Sequence, residues 1–333
     1  MTDIVYVTIN NKEYSVNVIN GTGSLNVSDK LAAKKYNVSA VFEGTTLYDE
    51  SHAVSNFTVY QLATNLIASN VTMVHNSAAN MTVQTTNIDD GSVISVKIGD
   101  KTVTGNVKNG TATIIMPNLA AKTYSATVSF DGDENHTSAS INATVDVSKA
   151  TSKLVASNVA MVYNSGAKSM TVQATNIADG AIISVKINGK TLKGTVKSGK
   201  AVIDMPANLA AKTYPATVSF DGDENYTSAS TSAKVVVSKA TPKLTAKKAT
   251  FKVKAKTKKY NIVLKDNKNK ALKKAKVTLK VKGKTYKATT NAKGKATFKI
   301  TKLTKKGTFK ATVKFAGNAN FKAVTKKANI KVK

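Results

Sequence analysis

Residues 122–151 read KTYSATVSFDGDENHTSASINATVDVSKAT, and residues 212–241 read KTYPATVSFDGDENYTSASTSAKVVVSKAT. In both, Tyr-x-Ala-x-Val-x-Phe alternates apolar and polar side chains, stops at an Asp-Gly turn, and resumes as a second alternating run. Period-two alternation interrupted by a turn is the pattern of a β-hairpin with one buried face. Because the whole unit recurs, the hairpin is part of a repeated module.

Working outward, residues 66–149 and 154–239 match along their length, from LIASNVTMVHNS and LVASNVAMVYNS onward. A diverged copy runs from Leu244, with GTFKATVKFAGNANF in the hairpin position, and LAAKKYNVSAVFEGTTLY supplies one more second half near the front. We divide the chain at 1–62, 63–151, 152–241 and 242–333. Each full copy predicts seven short strands, in the second Leu66–Val74, Met81–Thr86, Val93–Ile98, Thr102–Val107, Thr111–Met116, Tyr124–Phe130 and Ile141–Val147. Turn signals separate them at Asp90-Gly91, Asn109-Gly110 and Asp131-Gly132, and no helical period of useful length competes. The expectation is an all-β chain of tandem immunoglobulin-like sandwiches, beads on a string. Tyr36, Tyr124 and Tyr214 stand where a tyrosine corner would bond its hydroxyl back to the preceding loop. Phe309 in the last copy forfeits that bond.

In the first copy, Val7-Thr-Ile-Asn-Asn-Lys-Glu-Tyr14 aligns with Val185-Lys-Ile-Asn-Gly-Lys-Thr-Leu192. Its first strands are therefore missing, and a half sandwich exposes apolar surface and strand edges. The expectation is a C-terminal part of a longer protein whose upstream region holds further repeats and the export signal. The first ten residues do not read as a signal peptide, and no stretch is apolar enough to span a bilayer.

The KTYPATVSF and FDGDENYTSAS segments resemble bacterial-type Ig-like repeats. The last copy, through DNKNKALKKAKVTLKVKGKTYKATTNAKGKATFKITKLTKKGTFKATVKFAGNANFKAV, is similar to the Lys-rich C-terminal repeat of adhesin-like surface proteins of methanogenic archaea. The resemblance implies an exported, modular, wall-associated protein of adhesive or structural role.

Of 333 residues, 50 are basic and 19 acidic, and every basic residue is Lys. Residues 241–333 hold 31 of the lysines and a single acid, Asp266, so nearly all of the +31 net charge sits at one end. Cysteine is absent, which excludes disulfides and thiolate sites. The three histidines scatter, and His75 and His136 align with Tyr163 and Tyr226, which suits packing and not ligation. The loops carrying Asp131, Asp133 and Glu134, and Asp221, Asp223 and Glu224, are candidates for Ca²⁺. Their plainer reading is a hairpin turn, because the copies at Glu43-Gly44 and Gly317-Asn318 lack the acids. A Lys–Asn crosslink would need a core acid, and Asp204 of the third copy is Ile115 in the second. Ten Asn-x-Ser/Thr sequons occur, at Asn20, Asn26, Asn37, Asn56, Asn70, Asn80, Asn109, Asn135, Asn142 and Asn225, and some are expected to be unusable because a strand Asn can face inward.

In the last copy, lysines alternate with core residues in Phe251-Lys-Val-Lys-Ala-Lys256 and Val277-Thr-Leu-Lys-Val-Lys282, which predicts lysine on every outward position. We single out Lys252, Lys254, Lys256, Lys258, Lys280, Lys282 and Lys284 as the polyanion-binding set. An anionic cell-wall or envelope polymer is the expected partner. Nucleic acid is disfavoured because Arg is absent and the aromatics fall on the core phase. No nucleophile–base pair, metal cluster or phosphate loop stands out, so no enzyme and no cofactor is expected. The leading reading is an extracellular adhesin-like or structural stalk that also offers surface to a host or neighbouring-cell ligand. A carbohydrate- or protein-binding module and a nucleic-acid-binding protein are the alternatives.

Overall fold

The computed structural model describes residues 2–333, and every regular element is a strand. The chain comprises two compact units, residues 1–150 and 151–333.

The first unit opens with β1 (Thr2–Ile9), β2 (Lys12–Ile19), β3 (Lys35–Phe42) and β4 (Ser51–Thr58), in the order β2-β1-β3-β4. It continues with β5 (Asn65–Ala68), β6 (Val71–Val74), β7 (Asn80–Thr86), β8 (Val93–Ile98), β9 (Lys101–Lys108), β10 (Thr111–Ile115), β11 (Thr123–Phe130) and β12 (Ala139–Ser148). The last eight form one continuous sheet, β5-β7-β10-β9-β8-β11-β12-β6, folded over a core that includes Met81, Ile94, Ile98 and Ile114. Expected strand Leu66–Val74 is in fact two strands. β5 pairs antiparallel with β7, then the chain crosses at Ser69-Asn70 so that β6 pairs parallel with β12. Asn70 fixes the crossing, its side-chain oxygen accepting the Thr144 N–H at 2.8 Å.

The second unit repeats this plan twice. Its strands are β13 (Lys153–Ala156), β14 (Val159–Val162), β15 (Ser169–Thr175), β16 (Ile182–Ile187), β17 (Lys190–Thr195), β18 (Lys200–Asp204), β19 (Thr213–Phe220) and β20 (Ala229–Ser238). Then follow β21 (Lys243–Ala246), β22 (Ala249–Phe251), β23 (Lys258–Lys265), β24 (Lys276–Val281), β25 (Lys284–Thr289), β26 (Lys295–Ile300), β27 (Gly307–Phe315) and β28 (Val324–Val332). The sheet orders are β13-β15-β18 with β14-β20-β19-β16-β17, and β21-β23-β26 with β22-β28-β27-β24-β25. Three strands facing five in this order is the immunoglobulin-like sandwich. The chain is therefore all-β, with such sandwiches in tandem. Each has its own buried cluster, which in the last includes Tyr260, Leu279, Phe298 and Phe315.

The four strands of the first repeat have the order of β9-β8-β11-β12, half of a sandwich. Among the described residues no second sheet covers them. Val5, Val7, Val38 and Phe42 are consequently only half-buried, where the equivalent Ile94, Val96, Ala126 and Phe130 are buried. Residues 24–28 carry Leu25 and Val27 in the place of β10, yet form no strand, because a strand equivalent to β7 is not there to pair with them.

The tyrosine corners form. The hydroxyls of Tyr36, Tyr124 and Tyr214 donate to the carbonyls of Ala32, Ala120 and Ala210 at 3.0, 3.1 and 3.1 Å. Lys34, Lys122 and Lys212, two residues earlier, place their ammonium groups 4.7–5.1 Å from the same rings, a cation–π contact.

Within each unit the corner is also a joint. Asn135 Oδ1, in the β11–β12 loop of the second repeat, accepts the Ala33 N–H of the first at 3.0 Å. Asn320 Oδ1, in the corresponding loop of the fourth, accepts the Ala211 N–H of the third at 2.9 Å. Linker residues bridge to the same loops, Leu62 with His136 and Ala240 with Phe321. The ring of Phe321 meets Tyr163 edge-on at 5.3 Å. Asp266, the one acid of the last repeat, is buried. It accepts the N–H groups of Lys268 and Lys270, and Asn164 of the third repeat donates to it at 3.1 Å.

Candidate functional site: the lysine-sheathed repeat

The seven lysines singled out by the sequence scatter over the fourth repeat. β22 ends at Phe251, so Lys252, Lys254 and Lys256 lie in the turn that follows it, exposed but not in a strand. The apparent alternation there is coincidental, since after Phe251 the chain leaves the sheet. Lys258 corrects the reading outright. It opens β23 opposite Ile300, is only 2% exposed, and donates from Nζ to the Ala255 carbonyl at 2.9 Å. Its stem fills the end of the core, so it is no polyanion contact. Lys280 stands on the outer face of β24, while Lys282 and Lys284 flank the β24–β25 hairpin, the former 5.7 Å above the Phe309 ring.

The register shows where the remaining lysines gather. On the three-stranded face, like charges sit opposite each other, Lys243 beside Lys265 and Lys259 beside Lys299. On the five-stranded face they do not. Lys280 is flanked by Thr285 and Thr312, Thr278 by Lys287 and Lys314, and Lys276 by Thr289. Between β27 and β28, Thr308 faces Lys331, Lys310 faces Asn329, Thr312 faces Lys327 and Lys314 faces Thr325. Every lysine of this face thus has an uncharged hydrogen-bonding residue as its cross-strand neighbour. Along each strand lysine and threonine also alternate, as in Lys276-Thr278-Lys280 and Lys310-Thr312-Lys314. In the third repeat the equivalents of Thr278 and Thr312 are Ser184 and Thr217, those of Lys314 and Lys327 are Ser219 and Ser232, and Lys186 and Lys193 already stand where the fourth repeat has Lys280 and Lys287.

The acidic loops behave as turns. Asp133 Oδ1 accepts the N–H groups of Asn135 and His136 at 2.8 and 2.9 Å, and Asp223 does the same for Asn225 and Tyr226. Asn318 makes the identical pair of bonds to Asn320 and Phe321, so the geometry asks for a side-chain oxygen and not a charge. Gly132 (φ 82°) permits the turn, since a Cβ there would lie 2.8 Å from Ser138 N. The nearby His136 ring, 2.8 Å from Asp133, together with the Asn135 N–H holds the Asp133 carboxyl below the usual carboxylate range. Asp131, Glu134, Asp221 and Glu224 are exposed around these turns. Among the described residues no three His, Asp or Glu side chains are placed to share a metal ion.

His75 bonds through Nδ1 with the Leu119 carbonyl and His52 is exposed on β4, so the three histidines do not converge. Asp204 faces outward and accepts from Ser169 Oγ, away from any core lysine. The ten sequon asparagines lie outward or at turns, nine exposed and Asn225 half-buried. The expectation of inward-facing strand sites fails because Asn37, Asn56 and Asn142 all occupy the polar phase of their strands. The joint role of Asn135 and Asn320 emerges from the structure. Their signal was available: an Asn recurs at one position of the loop in each full copy.

No family model matches the sequence, and no curated protein matches it. Among solved structures, the chain is similar to a Ca²⁺-stabilized adhesin with which an Antarctic bacterium binds ice. That likeness has 16% identity, covers 100% of this chain and 90% of the other, and has a TM-score of 0.32. It is also similar to a three-domain I-band fragment of titin, with 14% identity, 81% and 98% coverage and a TM-score of 0.33. A Drosophila N-cadherin fragment follows with 16% identity, 74% and 90% coverage and a TM-score of 0.29. Likenesses of this size concern the fold alone. Among the described residues no helix is long and apolar enough to cross a membrane.

Proposed function

We propose that this protein is a non-enzymatic, extracellular adhesin-like or structural stalk. Its tandem Ig-like repeats project, and its basic C-terminal repeat holds an anionic cell-wall or envelope polymer. The boundaries 1–62, 63–151, 152–241 and 242–333 are those of the working modules in this reading.

The observation that carries it is the partition of charge. One sandwich out of the series has lysine across both outer faces and one acid, itself buried at a joint. Its core is an apolar cluster like those of the other full repeats, with Lys258, Asp266 and Thr290 buried at its margins. Like charges packed this densely repel one another within one to two Debye lengths. A surface polyanion relieves that repulsion, at about 1 kcal/mol per lysine near an anionic surface. The joints add to the case, because a stalk gains reach from repeats that are pinned to their neighbours.

The test is sedimentation of the full chain with isolated anionic wall polymer across a salt series. Binding should fall steeply with salt, and Gln at Lys252, Lys254 and Lys256 should reduce both affinity and slope. Salt-independent binding, or none, refutes the tether. Fractionation with an antibody to residues 154–240 tests the location, and a cytoplasmic signal alone refutes it.

A further inference from the structure

The two lysine faces differ in kind. On the three-stranded face lysines oppose each other directly, which is destabilising and serves only to repel. On the five-stranded face no two lysines are cross-strand partners, and each gap is filled by a hydroxyl or an amide. Strand spacing near 4.8 Å and a two-residue rise near 6.8 Å set diagonal lysines about 8 Å apart. One straight diagonal, Lys287–Lys280–Lys310–Lys331, takes a single lysine from each of four adjacent strands. A second, Lys276–Lys314–Lys327, runs parallel to it.

We infer that the outer face of β24, β25, β27 and β28 is a lattice site for a linear polymer carrying one oxyanion per repeat unit. The inference rests on the tether reading and adds to it a face, a path and a ligand period. Ammonium groups about 8 Å apart match a chain of single phosphodiesters or carboxylates separated by a short alditol or sugar. The threonines between them, Thr285, Thr312 and Thr325, present hydroxyls that can donate to the remaining oxyanion oxygens, while the Thr278 hydroxyl is turned to the Lys314 carbonyl. The three-stranded face lacks this second set of donors at its opposed Lys pairs.

Two variants of the full chain test it, each removing four positive charges. One carries Gln at Lys280, Lys310, Lys314 and Lys327; the other carries Gln at Lys259, Lys265, Lys295 and Lys299. The probes are poly(glycerol phosphate) and polygalacturonate, which separate phosphodiester from carboxylate as the natural source. For the first variant we expect about a tenfold or greater loss of affinity and a fall of about 3 in the log–log salt slope. The second should change the slope by less than 1. Equal losses in both variants overturn the lattice but leave the tether standing, and no loss in either overturns both. Should a variant fail to fold, lysine acetylation of the wild-type chain decides the matter. Bound polymer should protect Lys280, Lys310, Lys314 and Lys327 but not Lys259, Lys265, Lys295 and Lys299. Uniform protection overturns the lattice.

Discussion

The peptide joining Ala210 to Ala211 is held from both ends. Its carbonyl accepts the Tyr214 hydroxyl at 3.1 Å, and its N–H donates to Asn320 of the next repeat at 2.9 Å. A tyrosine corner is usually read as a device internal to one sandwich. Here it also orients the donor that the following repeat grips, so loosening the corner should loosen the joint.

The perturbations are Tyr214→Phe, Asn320→Ala and both together. Tyr214 is 4% exposed, and loss of its hydroxyl removes one neutral hydrogen bond, about 1 kcal/mol. Asn320→Ala also removes one, but Ala211 is half-buried and its N–H can turn to water, so the cost is about 0.5–1 kcal/mol. Bonds that share a peptide polarise each other, so the double variant should fall short of additivity by about 0.5 kcal/mol. Bulk melting of a tandem array is not two-state, so the assay is native-state hydrogen exchange at the Ala211 amide and the β19 amides. Tyr36→Phe combined with Asn320→Ala, in which the two bonds belong to different units, is the control. A coupling no larger than in that control would refute the argument.

Three further outcomes follow from the structure. A side chain at Gly194 would put Cβ 2.6 Å from Ile203 Cγ1 and 3.1 Å from the Val202 carbonyl, so Gly194→Ala should destabilise the third repeat by about 1–3 kcal/mol in exchange measurements. The Asp133 carboxyl titrates below its ordinary value, so its support of the turn is complete above the unfolded carboxylate pKa near 4 and is lost as pH falls through the lower folded value. Amide exchange at Asn135 and His136 should therefore rise only in strong acid, and Asp133→Asn, which restores what Asn318 does in the fourth repeat, should abolish that dependence. Lys258→Met keeps the buried stem and removes a charge from the core, so it should leave the fourth repeat as stable or more so and leave polyanion affinity unchanged. A drop in affinity matching that of Lys280→Gln would show Lys258 to be a contact after all.

The fold was legible because it is written several times over. Period-two runs such as Tyr124–Phe130 and their Asp-Gly stops fixed strand, face and turn together, and Asn109-Gly110 adopts the positive φ pair its hairpin needs. The split of Leu66–Val74 was not legible, because both halves keep the same alternation and only a backbone crossing at Asn70 separates them. Lysine phase misled for a related reason. In Phe251–Tyr260 the alternation continues through a turn, so Lys258 reads as outward while the chain has already re-entered the core. The lattice of the five-stranded face lay beyond sequence reading for a different reason. Lys280 and Thr312 are 32 positions apart, and only strand register makes them neighbours.

The register also bears on why the lysines are arranged as they are. If they served solubility alone, nothing would favour one arrangement on both faces, and opposed pairs would be avoided wherever possible. The molecule instead tolerates Lys259 beside Lys299 and Lys243 beside Lys265 on one sheet, while keeping the other free of any such pair. A face that must hold a chain of spaced anions needs each ammonium to be separately addressable, with neutral donors in between. A face that only needs to stay wet does not. In the reading proposed above, that asymmetry, more than the net charge of +31, is the feature that would set a binding surface apart from a solvated one.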